Sequence, residues 1–245
     1  AKHYEALLSR ANLKKQTAES HHVESLKNLL NTELSSEGEV LICYALAKEL
    51  EDLKRYEESF AFLERGACLN DRLLNYDVER DVQSISSMNT LFEQDINALL
   101  GPAEGGAGMV FILGMPRTGS TLTDRILGSH SQVESLGETS DFHYAVLEQA
   151  GRVSDGGKRS FLESLAHIDF TALGEDYLAR VQRRGKTAQR LIDKTPNNAL
   201  YLGLIRKALP EAKIIHVHKA PMDSCYSMFK AVFKNGYPFS YDLEK

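Results

Sequence analysis

Apolar and polar positions divide the chain into two textures. Over residues 1 to about 100, apolar side chains recur at helical spacing and no strand-like alternation occurs. Leu26, Leu29 and Leu30 form one such stripe in charged surroundings. Ser36 followed by Glu39 is a capping-box signature, opening a helix that carries Leu41, Tyr44, Ala45 and Ala47. A break at 52–55 leads to a second helix with Tyr56, Phe60, Leu63 and Ala67, and a further amphipathic stretch covers 82–100. Residues 101–108 hold four glycines and a proline, a flexible break. Beyond it, short apolar runs predict strands at 109–113, 133–136, 189–193 and 213–218. Helical patterns start near Ser120 and cover 141–151, 171–184, 197–208 and 221–234. This alternation predicts an α/β fold whose parallel sheet is covered on both faces.

The expected organisation is therefore a helical region over 1–100, a Gly-rich linker over 101–108, and an α/β domain over 109–245. Small and aromatic residues alternating across the helix–turn–helix at 36–67 resemble one tetratricopeptide unit. A single unit cannot bury its own apolar face, so this half reads as a helical cap resting on a partner domain, or equally as an ordinary helical bundle.

Composition narrows the classes. A net charge of −5 argues against a protein that binds nucleic acid through bulk positive charge. Cys43, Cys68 and Cys225 form no CxxC pair, which argues against a zinc ribbon or a disulfide framework and for a reducing, cytoplasmic setting. The longest apolar runs are too short to cross a bilayer, and the charged N-terminus lacks the apolar core of a signal peptide. The chain stops at SYDLEK soon after a Gly-Tyr-Pro turn, with no helix cap or polar tail.

The sharpest local signal is FILGMPRTGSTL, residues 111–122. A strand that enters a glycine loop and then a helix gathers backbone N–H groups at one point, where the helix dipole favours an anion. Gly114 and Gly119 have the spacing of GxxxxGK[ST], and Thr121 takes the Ser/Thr position, but Ser120 stands where that pattern has lysine. Arg117 supplies a positive charge inside the loop instead. The loop is expected to bind a phosphate ester rather than to hydrolyse a nucleoside triphosphate.

Four segments in order carry a family resemblance. MPRTGSTL resembles the 5′-phosphosulfate loop of sulfotransferases that use 3′-phosphoadenosine 5′-phosphosulfate (PAPS). ILGSHSQVESLGET is similar to a segment of protein-tyrosine sulfotransferases and their tetratricopeptide-linked bacterial relatives. LIDKTPNN resembles the family's Lys-x-Pro segment, and HKAPMDSCYSMFK its 3′-phosphate motif. ALAKELEDLKRYEESFAFLERG also looks like the helical region that precedes the catalytic domain in the bacterial group. The resemblance implies a P-loop three-layer sandwich with a central parallel sheet, preceded by an all-α tetratricopeptide-like region. It implies PAPS as donor, with 3′-phosphoadenosine 5′-phosphate (PAP) as product, and no metal. Two departures stand out: Lys219 takes the place of the family's arginine, keeping the charge but losing the bidentate fork, and the family's domain continues past SYDLEK, so the resemblance implies a C-terminally incomplete domain over 109–245.

The resemblance also distributes roles. Pro116, Arg117, Thr118, Gly119, Ser120, Thr121 and Leu122 are expected to hold the 5′-phosphosulfate, and Lys219 and Ser227 the 3′-phosphate. Arg117 and Lys194 would meet charge on the leaving oxygen. Glu138 matches the family's catalytic base, and a carboxylate beside an apolar pocket can have its pKa raised for that task. Asp141 reads as a helix N-cap, and His130 as a helix C-terminal cap or a less favoured base. His216 and His218, two apart on a strand, are expected on opposite faces, unable to share a metal. The acceptor stays open between peptide, carbohydrate and small alcohol. A P-loop nucleotide kinase and a non-catalytic helical-repeat module are the competing readings.

Overall fold

The structure is a computed structural model that describes residues 3–92, 105–234 and 236–244. In chain order, α1 (Tyr4–Leu13), α2 (Val23–Leu30), α3 (Ser36–Asp52), α4 (Tyr56–Leu74) and α5 (Val78–Phe92) precede β1 (Met109–Leu113). There follow α6 (Ser120–Leu127), β2 (Val133–Gly137), α7 (Asp141–Val153), α8 (Phe161–Leu165), α9 (Phe170–Gln182), β3 (Arg190–Asp193), α10 (Leu202–Ala208), β4 (Lys213–His216) and α11 (Pro221–Phe229). They fall into two compact units, residues 1–78 with 221–245, and residues 79–220. Part of the expected linker, 101–104, and the end of the amphipathic stretch, 93–100, lie outside the described residues.

The first unit is helical and built around α3, which is apolar on nearly every side. Ile42, Ala45, Leu46 and Leu50 form a core with Ala11, Val23 and Leu26. On another side Val40, Tyr44 and Ala47 meet Leu63 and Ala67 of α4 together with Phe229 and Tyr241. That cluster is why residues 221–245 belong here, and Tyr44 adds a buried hydroxyl bond to the carbonyl of Phe229 at 3.1 Å. Gly66 lets α4 approach α3: a Cβ there would stand 2.9 Å from that of Cys43. Of the stripe read in α4, Leu63 and Ala67 are buried, whereas Tyr56 and Phe60 are exposed. The cap of α3 is Ser35, not Ser36. Ser35 has the extended backbone an N-cap requires, and its hydroxyl accepts from Gly38 N–H at 3.1 Å. A reciprocal capping box forms instead at Ser160 and Glu163, opening α8, for which the pattern gave no helix.

The second unit carries a four-stranded parallel sheet in the order β2-β3-β1-β4. Met109, Phe111 and Leu113 alternate along β1 and enter a core with α7, α9 and α10. There Phe111, Phe142 and Tyr177 meet with ring centroids 5.4–6.1 Å apart. Ile112, on the other face of β1, is also fully buried, as is Ile192 of β3. The uninterrupted apolar run of β1 is what a strand covered on both faces calls for. The expected helix at 197–208 is two pieces, a 3-10 turn at Pro196–Tyr201 and then α10. The expected helix at 221–234 stops at Phe229. The chain then turns so that Phe233 N–H donates to the Tyr241 hydroxyl at 2.8 Å.

Candidate active site

Because the strands are parallel, their C-terminal ends share one edge of the sheet. Across that edge, in strand order, come Glu138 after β2, Lys194 after β3, the glycine loop after β1, and Val217–Lys219 after β4. Open α/β sheets bind ligands at this edge.

The loop is held from beneath. Val217 N–H donates to Leu113 O at 2.8 Å, and a Cβ on Gly114 would stand 2.2 Å from Val217 O, so only glycine fits there. Thr118 Oγ1 donates to Met115 O at 2.7 Å, closing the turn. Arg117 (φ 67°) and Gly119 (φ 107°) both take left-handed backbone, and Gly119 is the N-cap of α6. The first N–H groups of α6 have no acceptor within their own helix. They and the helix dipole favour an anion at the loop mouth. Ser120 is buried, whereas Arg117, Thr121 and Leu122 are exposed.

Glu138 and Lys194 come together. Lys194 Nζ donates to Glu138 Oε1. The lysine side chain is only 7% exposed and the glutamate 61%, so the cation lies beneath and the carboxylate faces solvent. Their meeting depends on backbone irregularity. The register between β2 and β3 shifts at Ser135/Gly137, and Gly137 has φ 74°. A bulge of this kind re-aims the side chain that follows it. Lys194 N–H donates to Gly137 O at 3.1 Å, so the two strand ends stay in register beyond the bulge.

Beneath the pair lies a buried network absent from the sequence reading. Asp193 is 0% exposed. One of its oxygens accepts from Thr195 Oγ1 at 2.7 Å and Asn198 Nδ2 at 3.1 Å. The other accepts from Tyr177 OH at 3.0 Å and Thr139 Oγ1 at 3.4 Å. Burial pushes the Asp193 carboxyl up to about 6, against the pull of these donors, and pushes the Tyr177 phenol well above its usual range. The available signal was a carboxylate closing the apolar strand LID, at a position the strand alternation buries.

Other expectations need correction. Asp141 is the first residue of α7, and Ser140 is the N-cap. The Asp141 carboxylate instead pairs with Arg184 at 2.5 Å and holds that guanidinium above its usual range. Gly128, not His130, caps α6, and the ring of His130 accepts from Gln132 N–H at 3.2 Å. His216 ends β4, so strand alternation does not reach His218, and the two rings stand 5.9 Å apart rather than on opposite faces. Among the described residues no group of three or more His, Cys, Asp or Glu could hold a metal ion. Lys219 is exposed just after β4 in the second unit, and Ser227 lies half-buried in α11 of the first. No helix among the described residues is long and apolar enough to cross a membrane.

Residues 109–245 match a family profile described as "Sulfotransferase family". Over 248 aligned residues the chain is 29% identical to an "Uncharacterized protein" of Aquifex aeolicus (strain VF5), covering 97% of this chain and 33% of that one. Over 107 residues it is 32% identical to a Caenorhabditis briggsae protein named "Putative protein-tyrosine sulfotransferase", covering 44% of this chain and 38% of that one. The matched stretch is thus between about a third and two fifths of each relative's own length. The crystal structure of sulfotransferase STF9 from Mycobacterium avium aligns with 88% of this chain and 66% of its own, at 13% identity and a TM-score of 0.32.

Proposed function

Since this chain belongs to the sulfotransferase family, we propose that it moves a sulfuryl group from PAPS to an acceptor hydroxyl, with Glu138 as general base and Lys194 and Arg117 meeting the charge on the leaving 5′-phosphate. The observation that carries this reading is the Lys194–Glu138 pair on the edge of the sheet that also bears the glycine loop.

The chemistry asks for cations and N–H dipoles where charge builds up. By analogy with phosphoryl transfer the transition state is loose, and negative charge gathers on the oxygen between phosphorus and sulfur. In this reading the first-turn N–H groups of α6 and Arg117 hold the 5′-phosphate, and Lys194 meets the bridging oxygen. The acceptor loses its proton to Glu138, whose open carboxylate suits a group that must touch a second substrate. Lys194 has an anionic partner in Glu138. In this reading the 5′-phosphosulfate is the second anion that the lysine meets. Lys219 is assigned to the 3′-phosphate, and the helices of residues 3–92 to a tetratricopeptide-like region. Ser120, standing where an ATP-hydrolysing loop has lysine, favours this donor over ATP.

Thermal unfolding with nucleotide tests the donor. A ligand at 100 times its Kd adds about 2.7 kcal/mol. For a chain of this size that is a rise in Tm of about 5–10 °C with PAP, and no comparable rise with magnesium-ATP. Equal stabilisation by both nucleotides, or by neither, would overturn the assignment.

A further inference from the structure

Asp193 is buried, ionisable and unused by the chemistry above. Among the described residues it meets hydroxyls and an amide rather than a cation. Two of its four donors have a telling place in the chain. Thr139 directly follows Glu138, and Thr195 directly follows Lys194. The same two threonines are tied to each other, since Thr139 N–H donates to Thr195 Oγ1 at 2.9 Å. Each strand end is therefore fastened one residue beyond the side chain that reaches the site. Tyr177 from α9 and Asn198 from the 3-10 turn fix the carboxylate itself.

We propose that Asp193 is a positioning residue, which clamps the ends of β2 and β3 through Thr139 and Thr195 and so keeps Lys194 buried and set against Glu138. Its consequence for transfer rests on the reading of that pair as reacting groups; the clamp itself does not. A displacement near 1 Å at a reacting group is enough to lower a rate by about a hundredfold, so the clamp bears directly on turnover. It is also sensitive to pH. The charged and titratable groups around Asp193 are Tyr177 on α9, Asp141 at the start of α7 with its partner Arg184, and Lys194 with its partner Glu138. When Asp193 takes up a proton, near pH 6, one of its oxygens becomes a donor. At least one of the four accepted bonds is then lost or reversed.

Competitive labelling of lysines in the full chain by an amine-reactive ester reads the clamp without turnover. The ratio of Lys194 to Lys186 labelling, mapped by mass spectrometry between pH 5 and 8, cancels the intrinsic pH dependence of amines. Lys186 is exposed and held by Glu134, whose carboxyl lies below its usual range, so the reference stays paired. The wild-type ratio is expected to be low above pH 7 and to rise as pH falls through about 6. In Asp193→Asn the ratio is expected to be raised and flat. In Glu138→Gln, which removes the charge that Lys194 pairs with, the ratio is raised but the inflection stays. Tyr177→Phe, which keeps the charge and removes one donor, is expected to move the inflection upward, and it serves if Asp193→Asn does not fold. A folded Asp193→Asn with the wild-type ratio and inflection would overturn the proposal, as would an unmoved inflection in Tyr177→Phe. Full sulfuryl transfer by Glu138→Gln, alongside a raised ratio in Asp193→Asn, would overturn the reading of the pair and leave the clamp standing.

Discussion

Replacing Asp193 by asparagine removes a charge that the fold takes out of water, and the effect on stability has a definite sign. The carboxyl ordinarily titrates at 3.8, and in the folded chain at about 6, chiefly because of burial. Between those values the folded chain keeps a proton that the unfolded chain has released. The contribution of this group to stability is therefore complete below about pH 4 and is lost as pH rises through 6. Two pH units at about 1.4 kcal/mol each give a loss of about 3 kcal/mol. Asp193→Asn has no such proton to lose. Urea unfolding of both chains at pH 4 and pH 7.5 is expected to show their difference in stability moving by about 2–3 kcal/mol in favour of the variant as pH rises. The difference at any single pH also depends on how the amide replaces the bonds to Thr195, Asn198, Tyr177 and Thr139, but its change with pH does not. A difference that stays constant within about 0.5 kcal/mol would refute the claim that a buried, ionised carboxylate sits at the end of β3.

Three further outcomes follow from the geometry. Gly114→Ala drives a Cβ to 2.2 Å from the backbone oxygen of Val217, which the strand end holds in place; it is expected to cost about 1–3 kcal/mol in urea unfolding and to weaken PAP binding by calorimetry. Tyr44→Phe leaves the buried carbonyl of Phe229 without its donor, an expected loss of about 1–3 kcal/mol seen as a lower Tm. Lys219→Ala is expected to weaken PAP by about tenfold or more while barely changing affinity for adenosine 5′-phosphosulfate, which lacks the 3′-phosphate; equal weakening of both would remove Lys219 from the assigned role.

Much of the sheet was legible because its strands are short apolar runs, and a glycine loop after the first of them has few other uses. Glu138 and Lys194 were each legible from the segments that hold them. Their pairing was not, because it requires β2 and β3 to be neighbours and a bulge at Gly137 to turn Glu138 toward the lysine. Strand order and bulges are tertiary outcomes that local pattern does not encode. Asp193 was passed over for a similar reason. A carboxylate closing an apolar strand can be its polar stop or an interior group, and it is the hydroxyls of Tyr177 and Thr139, from other elements, that make it the second. The errors at Ser36 and Asp141 are displacements of one residue in helix starts, where Ser35 and Ser140 take the cap. His218 was misplaced because strand alternation was extended past the end of β4.

The measurement that bears most directly on the proposed activity is transfer of label from sulfur-35 PAPS, offered with a tyrosine peptide, an oligosaccharide and a small alcohol, to the wild-type chain and to Glu138→Ala. Label is expected on one acceptor class with the wild type, with release of PAP in equal amount, and loss of transfer in Glu138→Ala with PAP affinity nearly intact. Transfer that survives Glu138→Ala at the wild-type rate, or PAP-binding chains that transfer no label to any of the three, would contradict the proposed activity.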